Sequence, residues 1–291
     1  MGFLRDIVLL MRIRQWIKNL FVLAPLVFSG RFSDQAALSS GLLAFLAFCL
    51  MSSAVYVVND LEDRHRDRAH PRKCRRPVAS GRISRRCAVL LGAGLVCGGG
   101  LISVTLGGWF ACLSGLYFIL QLGYTFFWKR MVLLDVGCIA LGFCIRIWAG
   151  AVVVGVLPSG WLQLCVFLLA LFLGFTKRRS EMRTLGDRAE EHRGALRHYT
   201  IYFLDQLIMI SATLAIVFYG LYTIAPDIVA RVHGYWMIYS LVFVVYGVFR
   251  YLYLVHVVGK TEDVDEILLA DLPLITSVLC WIGFSFWVFY K

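Results

Sequence analysis

Charge is what this sequence has least of. Of its 291 residues only 16% are Asp, Glu, Lys or Arg, whereas a water-soluble domain carries about a quarter, so a soluble globular fold is excluded. Nine cysteines are present, but no CxxC pair occurs. Most lie inside apolar runs, and Cys74 and Cys87 alone fall in a polar loop, too few for a zinc site or a disulfide framework. No cleavable leader is expected: "MGFLRDIVLLMRIRQW" has a short apolar core flanked by charge and lacks a small-residue cleavage site. Asp6 stands where a myristoylation signal needs Ser or Thr. Histidine is sparse too. His65 and His70 flank one charged segment, while His192, His198, His233 and His256 are scattered.

What is present is long apolar sequence. Sixty per cent of the residues are hydrophobic and the mean hydropathy is +0.76. Nine runs, roughly 16–30, 38–58, 87–106, 108–127, 131–154, 161–176, 203–224, 235–256 and 272–290, are candidates to cross a bilayer core of about 30 Å. The fold predicted is an all-α, multi-pass membrane bundle of about nine transmembrane helices, with residues 1–291 as one integral-membrane domain. With nine crossings, every Lys and Arg except Arg31, Arg146, Arg231 and Lys291 falls on the side of the N-terminus, and so does every acid except Asp34 and Asp227. The positive-inside rule then puts the N-terminus and the charged loops in the cytoplasm and the C-terminus outside a cell membrane. The net charge of +11 follows from that topology and from anionic lipid, and calls for no nucleic acid.

One segment stands apart. "NDLEDRHRDRAHPRKCRRPVASGR", Asn59 to Arg82, packs four acids and eight bases against the end of an apolar run. Asp60, Asp63 and Asp67 follow i, i+3, i+7, which on a continuous helix sets their side chains within an arc of about 60°, with Asn59 beside it. Three carboxylates on one face need a cation between them. Oxygen-only ligands in open geometry suit Mg²⁺, which takes one or two carboxylates and completes its shell with water and phosphate. Arg72, Lys73, Arg75 and Arg76 follow between Pro71 and Pro77, as a diphosphate site would require. The rival reading is a solvated helix end whose charges pair among themselves. Placement at the end of a membrane helix, where ionisable groups are costly, favours the site.

The same segment resembles the NDxxDxxxD motif and the HPxKxxRPxxxG loop of the UbiA superfamily of intramembrane prenyltransferases. That resemblance implies a helical bundle around a central cavity open to lipid, with Mg²⁺ held by Asp60, Asp63 and Asp67. It also implies that Asn59, Lys73 and Arg76 help bind diphosphate. Three further stretches resemble the decaprenyl-phosphate phosphoribosyltransferase branch. They are "RIRQWIKN" (Arg12 to Asn19, with Ile13 where Pro is usual), "KRRSE" (Lys177 to Glu181) and "HYTIYFLDQ" (His198 to Gln206). The second DxxxD motif of ordinary members is absent. The loop after the sixth run offers Asp187, Glu190 and Glu191 among many bases.

The resemblance implies transfer of 5-phosphoribose from phosphoribosyl diphosphate to a polyprenyl (decaprenyl) phosphate, releasing diphosphate, as a step toward a cell-envelope glycolipid. Lys177, Arg178 and Arg179 suit the extra phosphate of that donor, since guanidinium grips phosphate bidentately, and Glu181 could orient one of them or bind the ribose. Lys18 and Asn19, near headgroup level, are candidates for the lipid phosphate, with a snorkelling Lys as the rival reading. Tyr124 and Lys129 match a family element after the fourth run. Asp135 is an intramembrane acid and Arg146, on nearly the same helical face, is too far along the axis to pair with it. Asp205 is carried over with the FLDQ run. Two alternatives stay open: a prenyltransferase using an aromatic or quinone acceptor, and a lipid transporter. A homo-oligomer is compatible with either.

Overall fold

A computed structural model describes residues 2–69, 73–185, 194–259, 266–267 and 270–291. Among these there is no strand. The helices are α1 (Gly2–Met11), α2 (Ala24–Phe28), α3 (Gln35–Glu62), α4 (Arg64–Ala69), α5 (Arg85–Thr105), α6 (Gly108–Phe126) and α7 (Leu134–Val154). They continue as α8 (Gly160–Leu185), α9 (Ile201–Thr223), α10 (Pro226–Arg231), α11 (Leu241–His256) and α12 (Leu272–Tyr290). Arg72, the stretch holding Asp187, Glu190 and Glu191, and the acidic residues Glu262, Asp263 and Asp265 lie outside the described residues.

Eight helices among the described residues are long and apolar enough to cross a membrane: α3, α5 to α9, α12, and α11 counted with the 3₁₀ turn Trp236–Ser240 before it. The protein is a multi-pass membrane protein. In lipid every backbone polar group must be satisfied within the protein, which is why the spans are helices. Outward-facing Leu90, Leu101 and Trp109 are exposed, as lipid-facing side chains should be.

The first apolar run departs from expectation. It is not one long α-helix but a ten-residue 3₁₀ helix, Ile13–Val22, followed by α2. It nevertheless runs the length of α3, in the opposite direction. Arg12 reaches Asp60 at one end of α3, Trp16 Nε1 donates to Ser53 Oγ (3.0 Å), and Leu26 packs beside Gly41 at the other end. Nineteen residue steps separate Gly41 from Asp60 on α3, about 28 Å at 1.5 Å each. Ten of the fourteen steps from Arg12 to Leu26 are 3₁₀, at about 2 Å each, so the segment reaches farther along α3 than an α-helix of the same number of residues would. Its irregular backbone is tolerated at membrane depth because it is packed against protein.

The chain forms two compact units, one from Met1–Trp128 with Ile145–Leu157 and one from Lys129–Cys144 with Pro158–Lys291. In the first, α3 packs against α5 and α6, with Phe48 at the centre of a cluster that includes Phe110, Tyr117, Val22 and Ala149. Small residues permit the close approaches, as is usual between membrane helices. Asp34 caps α3 by accepting from the Ala36 and Ala37 N–H groups, and the Ala37 bond first, then the Arg31 guanidinium, hold its carboxyl below the ordinary range. In the second unit α8 and α9 form the main pair, and Phe172, Phe175, Leu204, Ile208 and Tyr251 fill the core.

Gly150 is the tightest of these approaches: a Cβ there would lie 1.9 Å from the Val22 carbonyl oxygen. Gly150→Ala must push the 3₁₀ segment off α7 and should cost about 1–3 kcal/mol. Gly94→Ala, where a Cβ would meet nothing within 4 Å, should be neutral. Thermal unfolding in detergent measures both, and equal stabilities would refute the close-contact account.

Candidate functional site

The first unit places two of the three predicted metal-binding aspartates together. Helix α3 ends at Glu62, and Asp63 is its C-cap, half-buried at a break before α4. The continuous helical face expected for Asp60, Asp63 and Asp67 is therefore interrupted, because the helix stops at the middle residue. Asp60 and Asp67 are still joined, at 2% and 4% exposure, by one guanidinium. Arg76 Nη1 lies 3.2 Å from Asp60 Oδ1 and 2.7 Å from Asp67 Oδ2. A second guanidinium, that of Arg12, pairs with the same Asp60 oxygen.

Local structure brings Arg76 there. The loop after α4 turns through the 3₁₀ helix Lys73–Arg75, on which Lys73 is half-buried. Gly81, at φ +81°, takes a left-handed turn that favours glycine. Arg68 Nε donates to the Ala79 carbonyl (2.9 Å), and Arg82 pairs with Asp6 of α1 (3.2 Å). Asn59, also half-buried, gives its carbonyl to the Asp63 N–H (2.9 Å). Arg12, the first letter of the RIRQWIKN motif, meets the aspartate pair, a contact that sequence reasoning passed over. Its backbone is left-handed, φ 51° and ψ 51°, and its guanidinium lies 4.8 Å from the Tyr56 ring centroid.

Lys18 and Asn19, paired in the sequence reading, are separated by the fold. Lys18 is half-buried, but Asn19 is fully enclosed. Its amide donates to Ser52 Oγ (3.0 Å) and Cys49 Sγ (3.4 Å), and its Oδ1 accepts from Arg146 Nε (2.8 Å). Arg146 also donates to the Tyr117 hydroxyl (2.8 Å) and sits 4.6 Å from that ring's centroid. Asn19 thus serves the interior rather than a lipid phosphate, and Arg146 anchors the 3₁₀ crossing. Tyr124 is half-buried on α6. Trp128, where the family element has Leu, folds over Gly123, at which a Cβ would lie 2.6 Å from the indole.

The second unit holds the remaining candidates. Asp135, in the first turn of α7, is wholly buried. One oxygen accepts from Arg178 Nε (2.6 Å) and the other from the Tyr199 hydroxyl (2.8 Å). That hydroxyl in turn accepts from the Leu133 N–H (2.8 Å). Burial first, then the Asp135 charge, pushes the Tyr199 phenol above its ordinary pKa, so it stays a donor. Arg178 Nη1 donates to Glu181 (2.7 Å), and Arg179 Nε to Asp205 (2.5 Å). The KRRSE and FLDQ motifs therefore meet at the Arg179–Asp205 pair, with His256 Nδ1 3.9 Å from that carboxylate. Arg178 is 1% exposed and its guanidinium meets Asp135 and Glu181, where a grip on phosphate was expected. Lys177 is half-buried and Lys129 is buried in the turn Trp128–Arg130.

The protein is thus a bundle of apolar helices with two carboxylates joined by an arginine of a basic loop at one helix end. Residues 21–267 match the UbiA prenyltransferase family, and the chain belongs to it. It is 33% identical over 284 residues to the decaprenyl-phosphate phosphoribosyltransferase of Mycolicibacterium smegmatis, covering 94% of this chain and 88% of that one. It is 31% identical over 280 residues to the enzyme of the same name from Corynebacterium glutamicum, covering 94% and 83%. A UbiA homolog from Archaeoglobus fulgidus, solved with GPP and Mg²⁺, superposes with a TM-score of 0.72 at 17% identity over 98% of this chain and all of that one, which establishes the fold.

The Asp135–Arg178 pair carries a prediction. Removing one partner of a buried ion pair leaves an uncompensated charge, at about 3–5 kcal/mol. Arg178→Gln should lower thermal stability and folded yield in that measure, and adding Asp135→Asn should recover part of the loss. A stable Arg178→Gln protein impaired only toward a phosphorylated donor would instead return Arg178 to the substrate.

Proposed function

We propose that the protein catalyses divalent-metal-dependent transfer of 5-phosphoribose from phosphoribosyl diphosphate to a polyprenyl phosphate, releasing diphosphate. The observation that carries this reading is the joining of KRRSE to FLDQ through Arg179–Asp205, in a chain similar over 94% of its length to decaprenyl-phosphate phosphoribosyltransferases. The whole chain acts as one integral-membrane domain, with the N-terminus and site on the cytoplasmic side of the cell membrane, as the basic residues indicate.

Asp60 and Asp67 fit a hard divalent cation. They supply oxygen donors only, both within hydrogen-bonding reach of one cationic nitrogen, Arg76 Nη1. Among the described residues no three His, Cys, Asp or Glu side chains cluster closely enough to enclose a metal, and Mg²⁺ needs only one or two carboxylates when phosphate completes its shell. Asp60, Asp67 and, from the break, Asp63 would hold it. Bound there, a divalent cation would supply positive charge to offset the negative charge building on the leaving diphosphate.

The protein's own groups do the rest. Asn59, Lys73 and Arg76 bind the diphosphate as charge accumulates on it. Lys177 and Arg179 take the 5-phosphate and Lys18 the phosphate of the lipid, and Tyr124 and Lys129 are carried over with their family element, Lys129 as a phosphate contact. A phosphate oxygen of the acceptor forms the new bond at C1 of the ribose as the bond from C1 to the diphosphate breaks, with inversion. The acceptor is already largely ionised at neutral pH, its second pKa being about 6, so no general base is needed.

Purified protein given phosphoribosyl diphosphate, polyprenyl phosphate and Mg²⁺ should yield a phosphoribosylated polyprenyl phosphate by mass spectrometry of the lipid fraction. Asp60→Asn or Asp67→Asn should reduce it at least about tenfold. Prenylated hydroxybenzoate from a prenyl diphosphate, with no ribosylated lipid, would establish the aromatic prenyltransferase reading instead. Topology is checked separately in a cysteine-free background. Asp227→Cys should label from outside intact cells, and Arg75→Cys only after permeabilisation.

A further inference from the structure

Two of the protein's own cations sit on the carboxylates that the proposed function gives to the metal. Arg76 Nη1 bridges Asp60 and Asp67 at 3.2 and 2.7 Å, the place a cation shared by both would take. Arg12 pairs with Asp60 from the other side of the sequence. The two arginines are held differently. Arg12 is fixed by its left-handed backbone and by the Tyr56 ring. The two side chains are nearly equally exposed, 23% for Arg12 and 25% for Arg76, against 3% and 5% for the carboxylates. What differs is the Tyr56 ring beside Arg12 and the loop setting of Arg76, which make Arg76 the one to turn outward.

We propose that Arg12 and Arg76 are resident counter-ions of the Asp60–Asp67 pair, so that free divalent metal binds weakly and enters together with the diphosphate, which draws Arg76 off the carboxylates. This rests on the assignment of Asp60 and Asp67 to the metal. A metal arriving alone meets two guanidinium charges within a few ångströms in a site that water screens little. Displacing Arg76 alone would also strip it of its anionic partners. Arriving with diphosphate, the metal takes the carboxylates while Arg76 exchanges them for phosphate oxygens, an equally strong charge-assisted partner. Metal and diphosphate are then coupled, each raising the affinity of the other by the same factor. Arg12 stays, and tempers the charge of the site in both states.

Mn²⁺ binding followed by electron paramagnetic resonance tests this without turnover, using the full-length protein in detergent with and without inorganic pyrophosphate. The Asp60→Asn/Asp67→Asn double variant serves as the blank that subtracts metal held by pyrophosphate in solution. Wild type should bind Mn²⁺ at least about tenfold tighter with pyrophosphate than without. Arg76→Gln should bind Mn²⁺ alone about tenfold tighter than wild type does, and pyrophosphate should add little. Arg12→Gln, which removes one counter-ion and leaves the bridge, should shift in the same direction. Wild type that binds Mn²⁺ equally well with and without pyrophosphate, or an Arg76→Gln no tighter than wild type, would overturn the proposal while leaving the metal assignment intact. A double variant that binds Mn²⁺ as wild type does would overturn the assignment itself.

Discussion

Asp60 can remain at 2% exposure near the end of a membrane helix because two guanidinia reach it. An ionised carboxylate taken from water costs several kcal/mol unless its partners are close and well placed. Here those partners come from two chain segments distant in sequence, so the one carboxylate fixes where both must lie. Arg12 sets the start of the first crossing at the Asp60 end of α3. Arg76 draws the loop after α4 back over the same spot, helped by the Gly81 turn and the bond from Arg68 to Ala79. The left-handed backbone of Arg12 is the strain this arrangement tolerates, and strained residues gather where function demands a geometry.

The second unit repeats the device with other residues. Asp135 is enclosed by Arg178 and Tyr199, and the more exposed Asp205 pairs with Arg179. A buried carboxylate again orders its surroundings, this time the KRRSE and FLDQ motifs and the start of α7. The motif letters are therefore of two kinds. Some, such as Arg178 and Asn19, are enclosed and hold interior side chains, while Lys18, Lys73 and Lys177 keep partly exposed side chains.

Most of the fold was legible because its signal is compositional. An apolar run of twenty residues has few structural options in lipid, and eight of the nine runs are helices of that length. The aspartate spacing predicts one helical face, but that register holds only on a continuous helix; across the break at Asp63 it is Arg76 that joins Asp60 to Asp67. What escaped was pairing. Periodicity cannot say that Arg146 meets Asn19, 127 positions away, or that Arg178 faces inward when its neighbour Lys177 does not. Nor can it distinguish an arginine that meets phosphate from one that meets aspartate, because guanidinium chemistry suits both.

The 3₁₀ crossing has a consequence for the spelling of its motif. Three residues per turn bring every third side chain to the same side. Trp16, Asn19 and Val22 line the inner edge, while Arg14, Ile17 and Leu20 are exposed. A ladder of threes has no slack. Deleting one residue from an α-helix turns the rest by about 100° and shortens it by 1.5 Å, but here it turns the rest by about 120° and withdraws about 2 Å. The RQWIKN stretch therefore behaves like a measured strut between Arg12 and α2, one in which letters can be exchanged on the outer edge but the number of letters cannot change.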